Sequence, residues 1–394
     1  MYKRGWKRCL IGGATAFALA GVLFFFWCVP PLFDRLVNRT RLNRPYVVMP
    51  EAEALHQSLT VVDLHCDALI SSRDLSVRAN YGHVDLPRLT EGNVALQIFA
   101  IPTQTPVCAG VPWLPTDFDA LTLLIAAQRW PRRAWTSTFE RALYATERLH
   151  ALEKRSEGTF RIVASTTQLE AYLRDRERAP TLTAGVLGVE GLHCLEGNLE
   201  NLDTLYDAGV RIAGLVHLAG NDVGGAAHGG NRGGLTAFGE AVVRRMEEKR
   251  ILIDLAHASP ALIDDVLDIA TRPVTVSHAG FTGVCDNERN LSDVHARRIA
   301  GQGGVIGVAY FPWTTGGRDV ASITRALLYG VALVGVDHLA LGSDFDGAVT
   351  TPFDASGVSL ITDALLQADM SRDDIAKIMG ENALRLLRET LPEN

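Results

Sequence analysis

His65 and Asp67 stand one residue apart at the end of an apolar run, Leu59–Asp67. In a β-strand, side chains at i and i+2 leave the same face, so this imidazole and this carboxylate point to one place. An ionised carboxylate does not enter a buried site without a cation or a strong partner, and a divalent metal accounts for both residues. An isolated H-x-D carries little specificity. The same residue types, however, end other apolar runs: Glu190 ends Leu182–Glu190, His217 ends Val210–His217, His257 ends Ile251–His257, His278 ends Val274–His278 and Asp344 ends Leu339–Asp344. Histidines and carboxylates in this mixture suit Zn2+ or a similar borderline divalent ion. They are too many for one tetrahedral site that keeps an open position. Two metals bridged by one carboxylate use them economically, and such a pair makes a hydroxide nucleophile near neutral pH and polarises a carbonyl. Other nucleophiles fit poorly. No G-x-S-x-G elbow is present, and Cys66 is expected on the opposite face of its strand from His65 and Asp67.

The elements that must position these residues alternate along the chain. The remaining apolar runs are Val94–Ala100 and Val305–Tyr310, and amphipathic stretches lie between runs at Phe139–Glu153, Leu199–Ala208, Ala237–Lys249, Pro260–Ala270 and Asp319–Val334. Strands rich in β-branched residues alternating with helices imply parallel βαβ units. Eight runs over about 300 residues point to an α/β fold, a (β/α)8 TIM-type barrel, whose active site forms at the carboxyl ends of the strands. The barrel domain is expected over 46–394. Phe160–Ala164 reads as an extra strand, Cys108–Trp135 as a long insertion, and Gly220–Gly234 as a flexible loop over the active site. That loop lacks the Lys-Ser/Thr and the spacing of a phosphate cradle. His56, His83, His150, His295 and His338 read as ordinary surface or helix-end histidines.

The first 45 residues are of a different material. Cys9–Phe33 is an uncharged run of 25 residues, long enough to cross a bilayer, and Lys3, Arg4, Lys7 and Arg8 precede it. The Ala18-Leu19-Ala20 triplet resembles a signal-peptidase site but lies inside the run, so an uncleaved signal anchor is the expectation. A short basic tail rarely crosses a membrane, which puts the barrel on the non-cytoplasmic side of a single-pass anchor. The final residues, Leu391–Asn394, carry no hydrophobic tail, so a GPI anchor is not expected. Residues 1–44 carry +7, and the whole chain is −7, so residues 45–394 carry −14. That acidity argues against nucleic acid as a partner. Cys66, Cys108, Cys194 and Cys285 form neither a zinc ribbon nor a dense disulfide framework, and one disulfide is left open.

At these residues the chain resembles the membrane dipeptidase (renal dipeptidase) family, peptidase family M19 of the amidohydrolase superfamily. The resemblance runs from Val61 to Leu387 and rests on Asp63-Leu64-His65-Cys66-Asp67, Gly188-Val189-Glu190-Gly191, Ile253-Asp254-Leu255-Ala256-His257-Ala258-Ser259, Ser277-His278-Ala279 with Arg289-Asn290, Gly342-Ser343-Asp344-Phe345-Asp346-Gly347 and Gly380-Glu381-Asn382-Ala383-Leu384-Arg385. It implies a barrel with two Zn2+ ions, one on His65 and Asp67, the other on His257 and His278, and Glu190 bridging them. It also implies His217 as the substrate-polarising histidine and Arg289 as the receiver of the substrate carboxylate, which a bidentate guanidinium suits. The implied reaction is hydrolysis of dipeptides with a free C-terminal carboxylate by a metal-bridging hydroxide. Asp344 would carry the proton to the leaving amine, with Asp346 the alternative carrier. Bacterial members often prefer a D-residue at the second position. The rival reaction on the same site is hydrolysis of an N-acyl amino acid or a lactone, and a non-catalytic binding domain is the rival of another class. A homodimer is left open.

Overall fold

The computed structural model of the protein describes residues 2–106 and 119–394, with side chains of the first helix from Gly13 onward. Nine parallel strands carry the architecture: β1 (Val61–Cys66), β2 (Val94–Phe99), β3 (Phe160–Ile162), β4 (Thr183–Glu190), β5 (Val210–Gly214), β6 (Leu252–Asp254), β7 (Thr275–Ala279), β8 (Val305–Val308) and β9 (Leu339–Leu341). β1 pairs with β2, β2 with β4, each strand from β4 on with the next, and β9 returns to β1 through Leu341 and Asp63, so eight strands close a barrel. The ninth, β3, is the extra strand expected at Phe160. It pairs with Thr183–Gly185 on the edge of β4 that β5 takes over from Leu187 on.

Two apolar layers follow from the alternation of the strands. Val62, Leu64, Leu96, Ile98, Val186 and Ile212 fill the barrel, and Leu384, Leu386 and Leu387 of the C-terminal helix Asn382–Thr390 join them. Val61, Phe99, Val189, Ile253 and Leu341 face outward onto the helices. The helices begin where the sequence offers side-chain oxygens to their free N–H groups. Ser137 caps Thr138–Arg155, Thr236 caps Ala237–Lys249, Asp319 caps Val320–Val334, and Ser259 caps Pro260–Ile269, where Pro260 needs no N–H partner.

At the N-terminus, helices Tyr2–Leu23 and Val29–Val37 join through a π-helical turn, Phe24–Cys28. Gly13–Val37 is long and apolar enough to cross a membrane, and Phe17, Val22, Phe24 and Trp27 are exposed. One such N-terminal helix fits a single-pass anchor or a signal sequence. From Pro30 on, the chain docks on the barrel. Asp34 is buried and accepts hydrogen bonds from Ser71 Oγ (2.5 Å), Arg73 Nε (3.0 Å) and Asn38 Nδ2 (2.8 Å). Arg39–Thr40 then pairs in parallel with Thr350–Thr351, in the segment that follows β9.

Two expectations need revision. His83 is not a surface histidine. It is wholly buried, with Nε2 3.1 Å from the Arg39 carbonyl and Nδ1 accepting from the Asp346 amide at 3.0 Å. His56 does end a helix, Pro50–Ser58, but is buried between Thr362 Oγ1 and the Gly92 carbonyl. Cys66 and Cys194 are buried and free, and Cys285 is free and half-buried, while Cys108 and the first part of its insertion, 107–118, lie outside the described residues.

Candidate metal centre

The carboxyl end of the barrel gathers all seven strand-end residues of the sequence reading. Glu190, His65 and His278 sit inside strands, whereas His217, His257 and Asp344 each lie three residues beyond theirs. One oxygen of Glu190, Oε1, is the focus: His257 Nε2 lies 3.0 Å away, His278 Nε2 3.3 Å and His65 Nε2 3.6 Å. Glu190 Oε2 faces His217 Nε2 at 3.5 Å. His65 Nε2 is also 3.4 Å from Asp67 Oδ1 and 3.9 Å from Asp344 Oδ1. Three overlapping groups have the spacing to hold a cation: His65 with Glu190 and His278, Glu190 with His217 and His257, and His65 with Asp67 and Asp344.

Backbone irregularities aim these side chains. Strict alternation after Leu64 would turn Cys66 into the barrel. The register of β1 against β2 shifts between Asp63 and Cys66, and Cys66 instead joins the outer layer while His65 enters the site. The expected separation of Cys66 from His65 thus holds, through a bulge. His257 and Asp344 have left-handed backbones, φ 64° and 60°. Each such residue stores on the order of 1–3 kcal/mol of strain, and strain of this kind collects at functional positions.

A buried pair of residues behind the histidines sets their protonation. Ser277 Oγ donates to Asp254 Oδ2 at 2.5 Å. Its two lone pairs remain, and His65 Nδ1 (3.1 Å) and His278 Nδ1 (2.9 Å) both reach it. Valence therefore assigns a proton to each Nδ1 and leaves both Nε2 lone pairs aimed at Glu190. Asp254 is fixed in turn by the Ser277 and Ala256 amides, 2.8 and 3.0 Å from Oδ1. Ser277 and Asp254 stand in the motifs quoted above, but spacing gave no signal of their role. His217 Nδ1 lies 3.1 Å from the Gln104 carbonyl, and Arg289 donates to the His278 carbonyl at 2.5 Å.

The electrostatics call for a cation. Burial, then the Asp67 charge, pushes the Glu190 carboxyl well above its usual range, and burial followed by Asp346 does the same to Asp67. Burial raises Asp344 to about 8. Burial also holds His257 and His278 neutral, and lowers His217 to about 3. Neutral imidazoles are the ligand form. His65 Nε2, Asp67 Oδ1 and both Glu190 oxygens are buried with no hydrogen-bond partner, a costly arrangement that a divalent metal resolves. Asp346 differs. Burial would raise its carboxyl, but Arg73 and His83 hold it below its usual value. Its oxygens accept from Arg73 and from the His83 and Val84 amides, which ties it into the framework and leaves Asp344 the freer carboxyl.

A cavity of about 910 Å3 opens over the centre and reaches Asp67, Glu190, His217, His257, Arg289 and Asp344. His228 also lines it, with Nδ1 3.6 Å from Glu288 Oε1 and its ring 6.1 Å from that of His257. Strand-end spacing does not point to His228; its signal in the sequence is a histidine inside the glycine-rich loop over the site. The loop is bonded rather than loose: the Ala227 amide donates to the His257 carbonyl at 2.7 Å, and Ser259 Oγ to that of Gly233 at 2.7 Å. Its glycines serve close approach, since a Cβ on Gly225 would stand 2.3 Å from the Gly233 carbonyl oxygen.

A family model for membrane dipeptidases, peptidase family M19, matches residues 49–392. The chain belongs to this family. The dipeptidase aclJ of Aspergillus oryzae is 27% identical over 98% of this chain and 89% of its own length. An uncharacterized dipeptidase of Schizosaccharomyces pombe is 29% identical over 78% and 72%. Two solved structures share the fold. A metallo peptidase from Rhodobacter sphaeroides, liganded with a phosphinate mimic of L-Ala-D-Ala, matches with a TM-score of 0.71 at 23% identity, over 84% of this chain and 99% of that one. The probable dipeptidase PvdM from Pseudomonas aeruginosa gives 0.73 at 20%, over 86% and 98%. As a member of the M19 family, the protein is a metal-dependent dipeptidase.

Proposed function

We propose that this M19 dipeptidase hydrolyses small dipeptides with a free C-terminal carboxylate and carries two Zn2+ ions. His65 and Asp67 would hold one ion, His257 and His278 the other, and Glu190 would contribute to both. The convergence of three Nε2 atoms on Glu190 Oε1 carries this reading. When bound, the metals would make a water-derived nucleophile available near neutral pH and polarise the scissile carbonyl. The rest falls to the chain's own groups. Arg289, buried at the cavity wall, receives the carboxylate by charge-assisted hydrogen bonds. His217 keeps its Nδ1 hydrogen on the Gln104 carbonyl, so stabilising the developing oxyanion from Nε2 takes a second proton on the ring, which burial opposes until that negative charge develops beside it. Asp344 takes the nucleophile's proton and passes it to the leaving amine. The N-terminal helix before the residues that dock on the barrel anchors the enzyme in a single pass, with the barrel outside the cytoplasm.

The test uses the purified full-length chain: metal per chain, and turnover of L,L- and L,D-dipeptides before and after chelation. Two zinc ions per chain and activity lost on chelation and restored by Zn2+ are the expected results. Less than about one metal per chain in metal-replete buffer overturns the two-metal reading, because five ligand side chains should retain the ions. Arg289→Ala should lower kcat/KM by about 10- to 100-fold, the worth of a charged hydrogen bond. Unchanged activity in that variant overturns carboxylate recognition.

A further inference from the structure

The cavity extends well beyond the metal centre at its base. About 910 Å3 is at the upper end of sites that enclose drug-sized ligands, about 300–1,000 Å3, and leaves room beside a dipeptide of small residues. Its chemistry is divided. The charged and imidazole groups cluster at the base, whereas one wall is apolar: Phe33 and Val37 from the N-terminal segment, Ile70 after β1, and Leu121 and Leu124 of helix Ala120–Ala127. Arg39, Arg41 and Arg318 line it as well, where they draw in a carboxylate-bearing substrate.

The origin of that wall is informative. The family match begins at residue 49, so Phe33 and Val37 come from a part of the chain outside it. The segment is held rigidly nonetheless. Asp34, between the two, is locked by Ser71, Arg73 and Asn38, and Arg73 also binds Asp346, two residues from Asp344. Thr40 then pairs with Thr351 in the same loop region. Apolar side chains lining the same cavity as a reacting centre can offer a substrate little except burial of its own apolar surface.

We propose that this wall is an apolar subsite, built by the segment joining the N-terminal helix to the barrel, that selects dipeptides bearing one bulky aliphatic or aromatic side chain. The inference rests on the dipeptidase reading above. Burial of a leucine or phenylalanine side chain corresponds to about 10- to 100-fold in kcat/KM.

The experiment uses the full-length, zinc-loaded chain in phospholipid nanodiscs, with Ala-Ala, Leu-Ala, Ala-Leu, Phe-Ala and Ala-Phe as substrates. At one of the two positions, the bulky residue should raise kcat/KM by about 10- to 100-fold over Ala-Ala. Phe33→Ser and Leu124→Ser should each reduce that ratio at least about fivefold, as expected for partial loss of the apolar contact. The ratio cancels any loss of folded enzyme, so a merely destabilised variant does not imitate the result. Turnover of Ala-Ala with a ratio near one, or a ratio unmoved in both variants, overturns the subsite alone. Absence of turnover on every dipeptide overturns the dipeptidase reading and the subsite with it.

Discussion

Ser277 gives its single proton to Asp254 and has two lone pairs left, which His65 and His278 fill. Ser277→Ala should therefore free both rings and weaken metal binding about 10- to 100-fold, the usual effect of losing such an outer partner. Titration against a chromogenic chelator measures this, and undiminished affinity would refute the role. Asp344→Asn separates two uses of that carboxyl. As proton carrier its loss should lower kcat by about 10²- to 10⁴-fold while the metal stays. If zinc content falls instead, Asp344 is a ligand, as its place beside His65 and Asp67 would allow. The seven strand-end residues were legible because barrel strands deliver polar side chains to one end. The Ser277 bridge was not, because it joins residues 212 positions apart, and no spacing rule reaches that far.

Among the elements, the turn after β9 constrains the site most tightly. A Cβ on Gly347 would stand 2.1 Å from Asp344 Oδ1 and 3.0 Å from Asp67 Oδ2. Gly347→Ala should displace both carboxylates and lower kcat/KM on the order of 10²-fold, the effect of about 1 Å of misplacement. Kinetics together with thermal unfolding checks this, since a fall in Tm without a fall in kcat/KM would make Gly347 structural only. A second element, helix Pro50–Ser58, links stability to pH. Burial lowers the pKa of His56, so the folded chain keeps it neutral while the unfolded chain protonates it near its ordinary value of 6.5. Stability is then fully present above that value and falls as pH drops below it. The Tm should decline from about pH 7 to about pH 5, and His56→Gln should flatten the slope; an unchanged slope would exclude His56. Strands and helices were legible from the apolar runs and from the amphipathic stretches between them. The bulge at Asp63–Cys66 was not, because β1 acquires it only against β2.

At the scale of the molecule, Arg73 joins two regions that the sequence keeps apart. Burial opposes its charge, but Asp346 and Asp34 hold its pKa above the usual value. Arg73→Met would leave two buried carboxylates without their cation and should destabilise the protein by about 3–5 kcal/mol. Denaturant unfolding of the full chain measures it, and a loss below about 1 kcal/mol would mean that the carboxylates find water. The barrel was legible from its eight runs. The docking of residues 30–41 was not, since an apolar run next to basic residues reads equally as a detached tether. That docking decides where the chain can be cut. Cleavage at Ala18-Leu19-Ala20 would shorten the apolar run and leave Asp34, Phe33 and Val37 in place. A protease acting between Asn38 and Met49 would leave this segment held by the hydrogen bonds of Asp34 alone, and a barrel that let it go would lose Phe33 and Val37 from its cavity wall.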